Sequence, residues 1–228
     1  MAGGNGREHM TSGSEMPRLI VVEGPVGVGK TALASRLASA MDAEPVLEER
    51  AANPFLERYY QGIPGNALPA QLFFLFERVR QLDALRQDSL FASTRVADFL
   101  FDRDRLFAEL TLDNAEAALY EQVCDSVAID PPSPDLVIYL QAPVPALQGR
   151  LSRRGEAFAR WVDVAFLERV TAAYARFFHA YDESPLLIVN TATFDPVQND
   201  RDFAALLDEI IAIPRGRRFF NPVTANIA

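Results

Sequence analysis

Apolar positions along the chain follow two rhythms. Unbroken runs occur at Leu19-Ile20-Val21-Val22, Pro45-Val46-Leu47, Asp135-Leu136-Val137-Ile138-Tyr139-Leu140 and Leu186-Leu187-Ile188-Val189. The first has the length and the β-branched content of a buried strand, the run that opens at Asp135 and the last one also read as strands, and Pro45-Val46-Leu47 is a short candidate. Residues 96–101 form a further run, with Asp98 inside it. Between the runs, apolar residues recur at helical spacing, as Leu33, Leu37 and Met41 do, or Val170, Tyr174, Phe177 and Tyr181. The spacing predicts helices over residues 31–41, 69–86, 102–112, 114–127, 143–154, 164–181 and 202–211. A shorter helix is predicted after Asn53, with Asn53 as its cap and Pro54 opening it. Gly62 and Pro64-Gly65 end that piece. Strands alternating with helices predict an α/β fold, a five-stranded parallel sheet with helices on both faces. Ligands of such sheets bind beyond the carboxyl ends of the strands.

The length of 228 residues suits one domain, read here as residues 17–213. Residues 1–16 are polar and glycine-rich without an apolar centre. They are read as a disordered leader, an expression remnant, or an upstream start with Met16 near the true beginning. Residues 214–228 are read as a tail, and Pro214 to Phe220 suggests no role. A hydrophobic share of 49% against 23% charged is enough to build a core. The net charge of −9 argues against a general nucleic-acid or membrane-surface binder. A site for an anionic ligand must then concentrate its Lys and Arg locally. Cys124 is the only cysteine, which excludes an intrachain disulfide and a cysteine metal cluster and suggests a small core residue. No apolar run reaches the ~18 residues of a membrane span. A reducing cytoplasm is the default location.

The chemistry starts at Gly24-Pro25-Val26-Gly27-Val28-Gly29-Lys30-Thr31, which fills every fixed position of G-x-x-x-x-G-K-[ST]. A predicted strand precedes it and a predicted helix follows. In that context the backbone N–H groups and the helix N-terminus cradle the phosphates of a nucleotide such as ATP. Lys30 reaches the β/γ-phosphates and the Thr31 hydroxyl binds Mg²⁺. Asp98 is placed either to hold Mg²⁺ or its water, or to cap the turn after its strand. Gln71 and Arg78 lie two helical turns apart among Phe73, Phe74, Leu75 and Phe76. This suggests a polar patch in an apolar cleft, with a solvated Arg78 as the alternative. Arg150, Arg153 and Arg154 before Gly155 form either a lid over phosphates or a basic helix end facing water. The alternating charges of Asp102-Arg103-Asp104-Arg105 suggest a solvated helix face. His179 is read as a surface or packing residue.

In order along residues 19–211, these motifs resemble the deoxyribonucleoside kinases, especially the bacterial deoxyadenosine/deoxyguanosine kinase branch. The resemblance is carried by Glu23-Gly24-Pro25 through Thr31, Glu48, Asn53-Pro54-Phe55-Leu56-Glu57-Arg58-Tyr59-Tyr60 and Gln71-Leu72-Phe73-Phe74-Leu75. Further on it is carried by Asp98-Phe99-Leu100-Phe101, Asp104-Arg105-Leu106-Phe107-Ala108, Pro134 to Leu140, and Arg153-Arg154-Gly155. It implies a P-loop kinase with an arginine-containing lid. Such an enzyme moves the γ-phosphate of ATP to the 5′-hydroxyl of a deoxynucleoside with Mg²⁺. Purines are favoured, deoxycytidine is a second candidate, and the assembly is a homodimer. Glu48 matches the general base, chosen over Glu44 and Glu49 because it stands five residues before Asn53-Pro54. Tyr60 matches the contact to the 3′-hydroxyl, and Gln71 the reader of the base edge. Arg78 matches an arginine paired with an acid, Asp104 or Asp102. Asp98 supports the metal, and Arg150 and Arg154 hold phosphates.

Three departures stand out. Phe99 follows Asp98 where many members have arginine. The stretch after Asp104 is one residue short. The lid reads Arg154-Gly155-Glu156, with Ala159 where a sugar-binding glutamate is usual. Arg103, Arg150, Arg153 and Arg160 are the candidates to restore the missing charge. Two other readings stay open: a nucleoside monophosphate kinase related to thymidylate kinases, and a weakly catalytic nucleotide-binding subunit of a heteromeric kinase.

Overall fold

The computed structural model describes residues 17–87, 94–127, 131–154, 161–212 and 216–222. Strand β1 (Leu19–Glu23) lies at the centre, its apolar residues almost wholly buried. Around it are β2 (Glu44–Val46), β3 (Arg95–Ala97), β4 (Leu136–Gln141), β5 (Leu186–Asn190) and β6 (Arg217–Phe220). The order is β2-β3-β1-β4-β5-β6 and every pairing is parallel. The sheet therefore has six strands rather than the five expected. The extra one comes from the stretch read as a tail, where Arg217 pairs with Leu186 and Phe220 with Val189.

The helices are α1 (Lys30–Ala40), α2 (Leu56–Tyr60), α3 (Ala67–Gln87), α4 (Arg103–Thr111), α5 (Asn114–Val127), α6 (Val144–Arg154), α7 (Val164–Ala180) and α8 (Asp200–Ile211). They flank both faces of the sheet. Helices α1 and α8 meet where the Arg36 guanidinium lies over the Phe203 ring, 4.2 Å from its centroid. Helix α7 packs by stacking Tyr174 and Phe178 on Tyr139 of β4. A smaller cluster of Leu75, Ala108 and Tyr120 joins α3, α4 and α5. It fixes how the α3 face meets α4, and the polar residues of that junction build the site.

Two local expectations change. Strand β3 stops at Ala97, so Asp98 lies just past its carboxyl end and not within it. Asn53 does not cap α2. Its Oδ1 accepts from Phe55 N at 3.1 Å, a local turn, while its Nδ2 donates to the Ala70 carbonyl and ties this turn to α3. Because β1 is flanked by β3 on one side and β4 on the other, the loop after β1 sits at the sheet's switch point. This is where such folds bind ligands.

Candidate active site

The loop after β1 is shaped by close packing. Gly24 has φ +149°, and a Cβ there would lie 2.5 Å from the Leu140 carbonyl oxygen of β4. Gly29 has φ 109° and stands before α1, whose first turn has neither a side-chain cap nor an acidic residue. The helix N-terminus thus keeps its N–H groups and partial positive charge for an anion. Lys30 Nζ donates to the Gly24 carbonyl at 2.6 Å and lies 4.0 Å from Glu23. Burial, and then repulsion from Arg50, pull its ammonium down to about 7. Glu23 is itself buried and accepts from Gly24 N, Tyr174 OH and Leu100 N at 2.9, 3.0 and 2.8 Å. One carboxylate thereby joins the phosphate loop, α7 and the segment after β3.

Asp98 is fully buried. One of its oxygens accepts from the Thr31 hydroxyl and the other from Glu48 N at 2.8 Å. Glu48 follows β2 with a side chain only 5% exposed, whereas Glu44 and Glu49 face solvent. Three guanidinium groups converge on it. Arg78 Nη2 donates at 2.9 Å and Arg50 Nε at 2.9 Å, and Arg103 Nη2 also donates. Burial alone would raise the Glu48 carboxyl. The charges of Arg103, then Arg78 and Arg50, overcome it and hold the group well below the usual range. Arg78 forks over Asp104 through Nε and Nη2, both at 3.1 Å, and its guanidinium lies 3.7 Å from the centroid of the Phe99 ring. A small pocket of about 40 Å³ brings Lys30, Glu48, Tyr60, Gln71, Arg103 and Asp104 together. On the other side of the phosphate loop, a cavity of about 310 Å³ runs between Gly27-Val28-Gly29, Arg150, Thr191 and the segment from Phe194 to Gln198.

A buried carboxylate and a P-loop lysine facing one small pocket suit phosphoryl transfer to a bound acceptor. The family model described as deoxynucleoside kinase matches residues 20–213. The chain belongs to the deoxynucleoside kinase family. A deoxyguanosine kinase of Bacillus subtilis (strain 168) is 30% identical over 200 residues, covering 84% of this chain and 97% of its own. A deoxyadenosine/deoxycytidine kinase of the same strain is 24% identical, covering 86% and 92%. A solved structure of deoxyadenosine kinase from M. mycoides with bound dCTP has the same fold. Its TM-score is 0.72 at 22% identity, over 86% of this chain and all of that one.

Against this deoxynucleoside kinase frame, most of the expected residues fall together. Thr31 and Glu48 are joined through Asp98, Lys30 and Glu48 line one pocket with Tyr60, Gln71 and Asp104, and Arg78 stands behind it, bound to Glu48 and Asp104. Between the two candidate acids, it is Asp104 that pairs with Arg78. Asp102 precedes α4, and burial raises its carboxyl. Arg150 sits at the other end of the loop, donating to the Val28 carbonyl at 3.2 Å and to Thr191 Oγ1 at 3.0 Å. The side chain of Arg154 and the lid residues 155–160 lie outside the described residues. No helix of the described residues is long and apolar enough to cross a membrane.

The Asp102-Arg103-Asp104-Arg105 expectation is corrected. Arg103 and Asp104 are buried, at 7% and 3% exposed, and only Arg105 faces out, 3.9 Å from Glu121. Arg103 is drawn inward by Glu48 and carries a buried Nε with no hydrogen-bond partner. Arg50 was not singled out by sequence, and Glu23 only as the residue that opens the glycine-loop motif. Glu23 had a readable signal, since it is the only charge on an otherwise apolar strand and directly precedes the glycine loop. Arg50 had none beyond lying two residues after Glu48.

Proposed function

We propose that this deoxynucleoside kinase transfers the γ-phosphoryl group of ATP to the 5′-hydroxyl of a purine deoxynucleoside. The observation that carries the reading is Glu48, which is buried and ionised in the pocket shared by Lys30 and Gln71. Glu48 orients the acceptor hydroxyl. The hydroxyl oxygen forms a bond to the γ-phosphorus as the bond to the β-phosphate oxygen breaks. ADP leaves and the hydroxyl proton passes to Glu48. So acidic a carboxylate is a poor base for an intact alcohol, which fits a loose transition state where the proton leaves late. Lys30 and the loop N–H groups hold the β/γ-phosphates. Arg103, next to Glu48 with a free Nε donor, meets the charge on the transferred group and fills the need left by Phe99. Arg150 and Arg154 hold phosphates from α6.

The 310 Å³ cavity takes the nucleoside part of the donor. In the small pocket, Tyr60 contacts the 3′-hydroxyl, and Gln71 with Arg78–Asp104 reads the base. Thr31 Oγ1 and the Asp98 carboxylate fit Mg²⁺, a hard cation that keeps several waters and needs only one or two protein oxygens. When bound, that ion neutralises phosphate charge. The purine preference is supported by the names of the relatives. The reading takes residues 17–213 as the catalytic domain, with β6 added at the edge of its sheet, and includes a homodimer and a cytoplasmic location, which family membership supports.

Transfer from γ-labelled ATP tests it, with each deoxynucleoside and each monophosphate offered separately. Label on deoxyadenosine or deoxyguanosine is expected. Label only on monophosphates would move the protein to another kinase class.

A further inference from the structure

Gln71 is buried on α3 and lines the small pocket. Its Nε2 donates to Thr111 Oγ1 at 3.2 Å. Thr111 is the last residue of α4, and its own hydroxyl proton is already given to the Phe107 carbonyl at 2.7 Å. A threonine hydroxyl has one proton and otherwise only lone pairs. Toward Gln71 it therefore offers an acceptor, and the amide must turn its NH₂ that way. The reversed amide would set its carbonyl against a hydroxyl with no proton to give, unless the bond to Phe107 broke. The Gln71 carbonyl oxygen accepts from no described residue, so it and the second N–H remain for a ligand.

The bases divide by the edge they show to such an amide. Adenine and cytosine place an exocyclic amino donor beside a ring-nitrogen acceptor. Guanine and thymine place an exocyclic carbonyl beside a ring N–H. An amide matches one pattern as it stands and the other only after turning over. We propose that Thr111 is a specificity-positioning residue. It holds the Gln71 amide one way round and so makes the pocket choose between these two classes of base. A purine kinase built this way separates deoxyadenosine from deoxyguanosine without touching either through Thr111. The proposal rests on the reading that Gln71 meets the base.

The test is kcat/KM for all four deoxynucleosides with the full-length protein, its Thr111→Val variant and its Thr111→Ser variant. Valine keeps the shape and removes the acceptor. The wild-type ratio between the two classes is expected to contract by about three- to tenfold in Thr111→Val, the equivalent of one neutral hydrogen bond. Thr111→Ser is expected to keep the ratio. A purely structural role would lower all four substrates together, so an unchanged ratio in Thr111→Val overturns the proposal. A wild type that takes both classes equally also overturns it. If valine disturbs folding, Thr111→Ala reads the same ratio. If the wild type labels no deoxynucleoside, the kinase reading itself falls, a result distinct from an unchanged ratio.

Discussion

Glu48→Gln is the sharpest test of the catalytic assignment, because the structure separates what it removes from what it keeps. One carboxylate oxygen of Glu48 accepts from both Arg78 and Arg103, and the other accepts from Arg50. Glutamine keeps a carbonyl oxygen for the first pair. Its NH₂ then faces Arg50 Nε, donor against donor. Arg50 is the most exposed of the three arginines, with a side chain 24% exposed, and can turn to water. The direct loss is thus one charge-assisted hydrogen bond, about 1.5–3 kcal/mol. Removing the negative charge among buried guanidinium groups pushes the cost toward the ~3–5 kcal/mol of a broken buried pair. The chemical loss is separate. Without a proton acceptor for the 5′-hydroxyl, kcat is expected to fall by about 10²–10⁴. In the proposed reading ATP contacts the loop and α1 rather than Glu48, so its affinity is expected to stay within about threefold. The assay is single-turnover transfer of label well below the variant's melting temperature, with ATP binding by calorimetry on the same sample. A folded, ATP-binding Glu48→Gln protein whose kcat stays within threefold of wild type would refute the assignment.

Other consequences follow from the same contacts. Lys30, at about 7 in the free protein, is mostly neutral at pH 8, and a bound triphosphate favours its charged form. ATP binding at pH 8 should take up close to one proton and weaken toward tenfold per unit as pH rises. Calorimetry in buffers of different ionisation enthalpy measures this, and zero uptake contradicts it. Arg103→Met is expected to lower kcat by about 10²–10³ and to move the acidic limb of the kcat profile to higher pH, because Arg103 is the strongest charge holding Glu48 down. An unmoved limb would free Glu48 from that control. Gly24→Ala must fit a Cβ 2.5 Å from the Leu140 carbonyl oxygen at a φ suited to glycine. A loss of about 2–4 kcal/mol in denaturant unfolding is expected.

The central strands and long helices were legible because each repeats one local rule, either an unbroken apolar run or a 3.6-residue stripe. The glycine loop was legible because its geometry demands named residues at fixed spacing. Strand β6 was not, since Arg217-Arg218-Phe219-Phe220 is largely exposed and shows no buried pattern. Its strand character comes from the free edge of β5, which no local window contains. Arg103 was misread for a related reason. Alternating charges mark a wet helix face unless something distant reaches in, and here Glu48 reaches in from 55 residues away. The Arg78–Asp104 pair was expected from resemblance, but nothing in the sequence placed Phe99 as the flat support beneath Arg78.

The parallel pairing of β5 with β6 also has a meaning for synthesis. A nascent chain that has reached residue 213 already contains every residue assigned to the reaction, yet Leu186–Asn190 still offers a bare row of backbone donors and acceptors. Such an edge is a template for another unfinished chain. Only when Arg217–Phe220 leave the ribosome is the row covered, and the new strand is then tied down by Arg217, which donates to the His179 and Tyr181 carbonyls, and by Arg218, 2.7 Å from Glu209. Once made, β6 closes the β5 edge to strand pairing with another unfinished chain, which is separate from any contact between two folded copies.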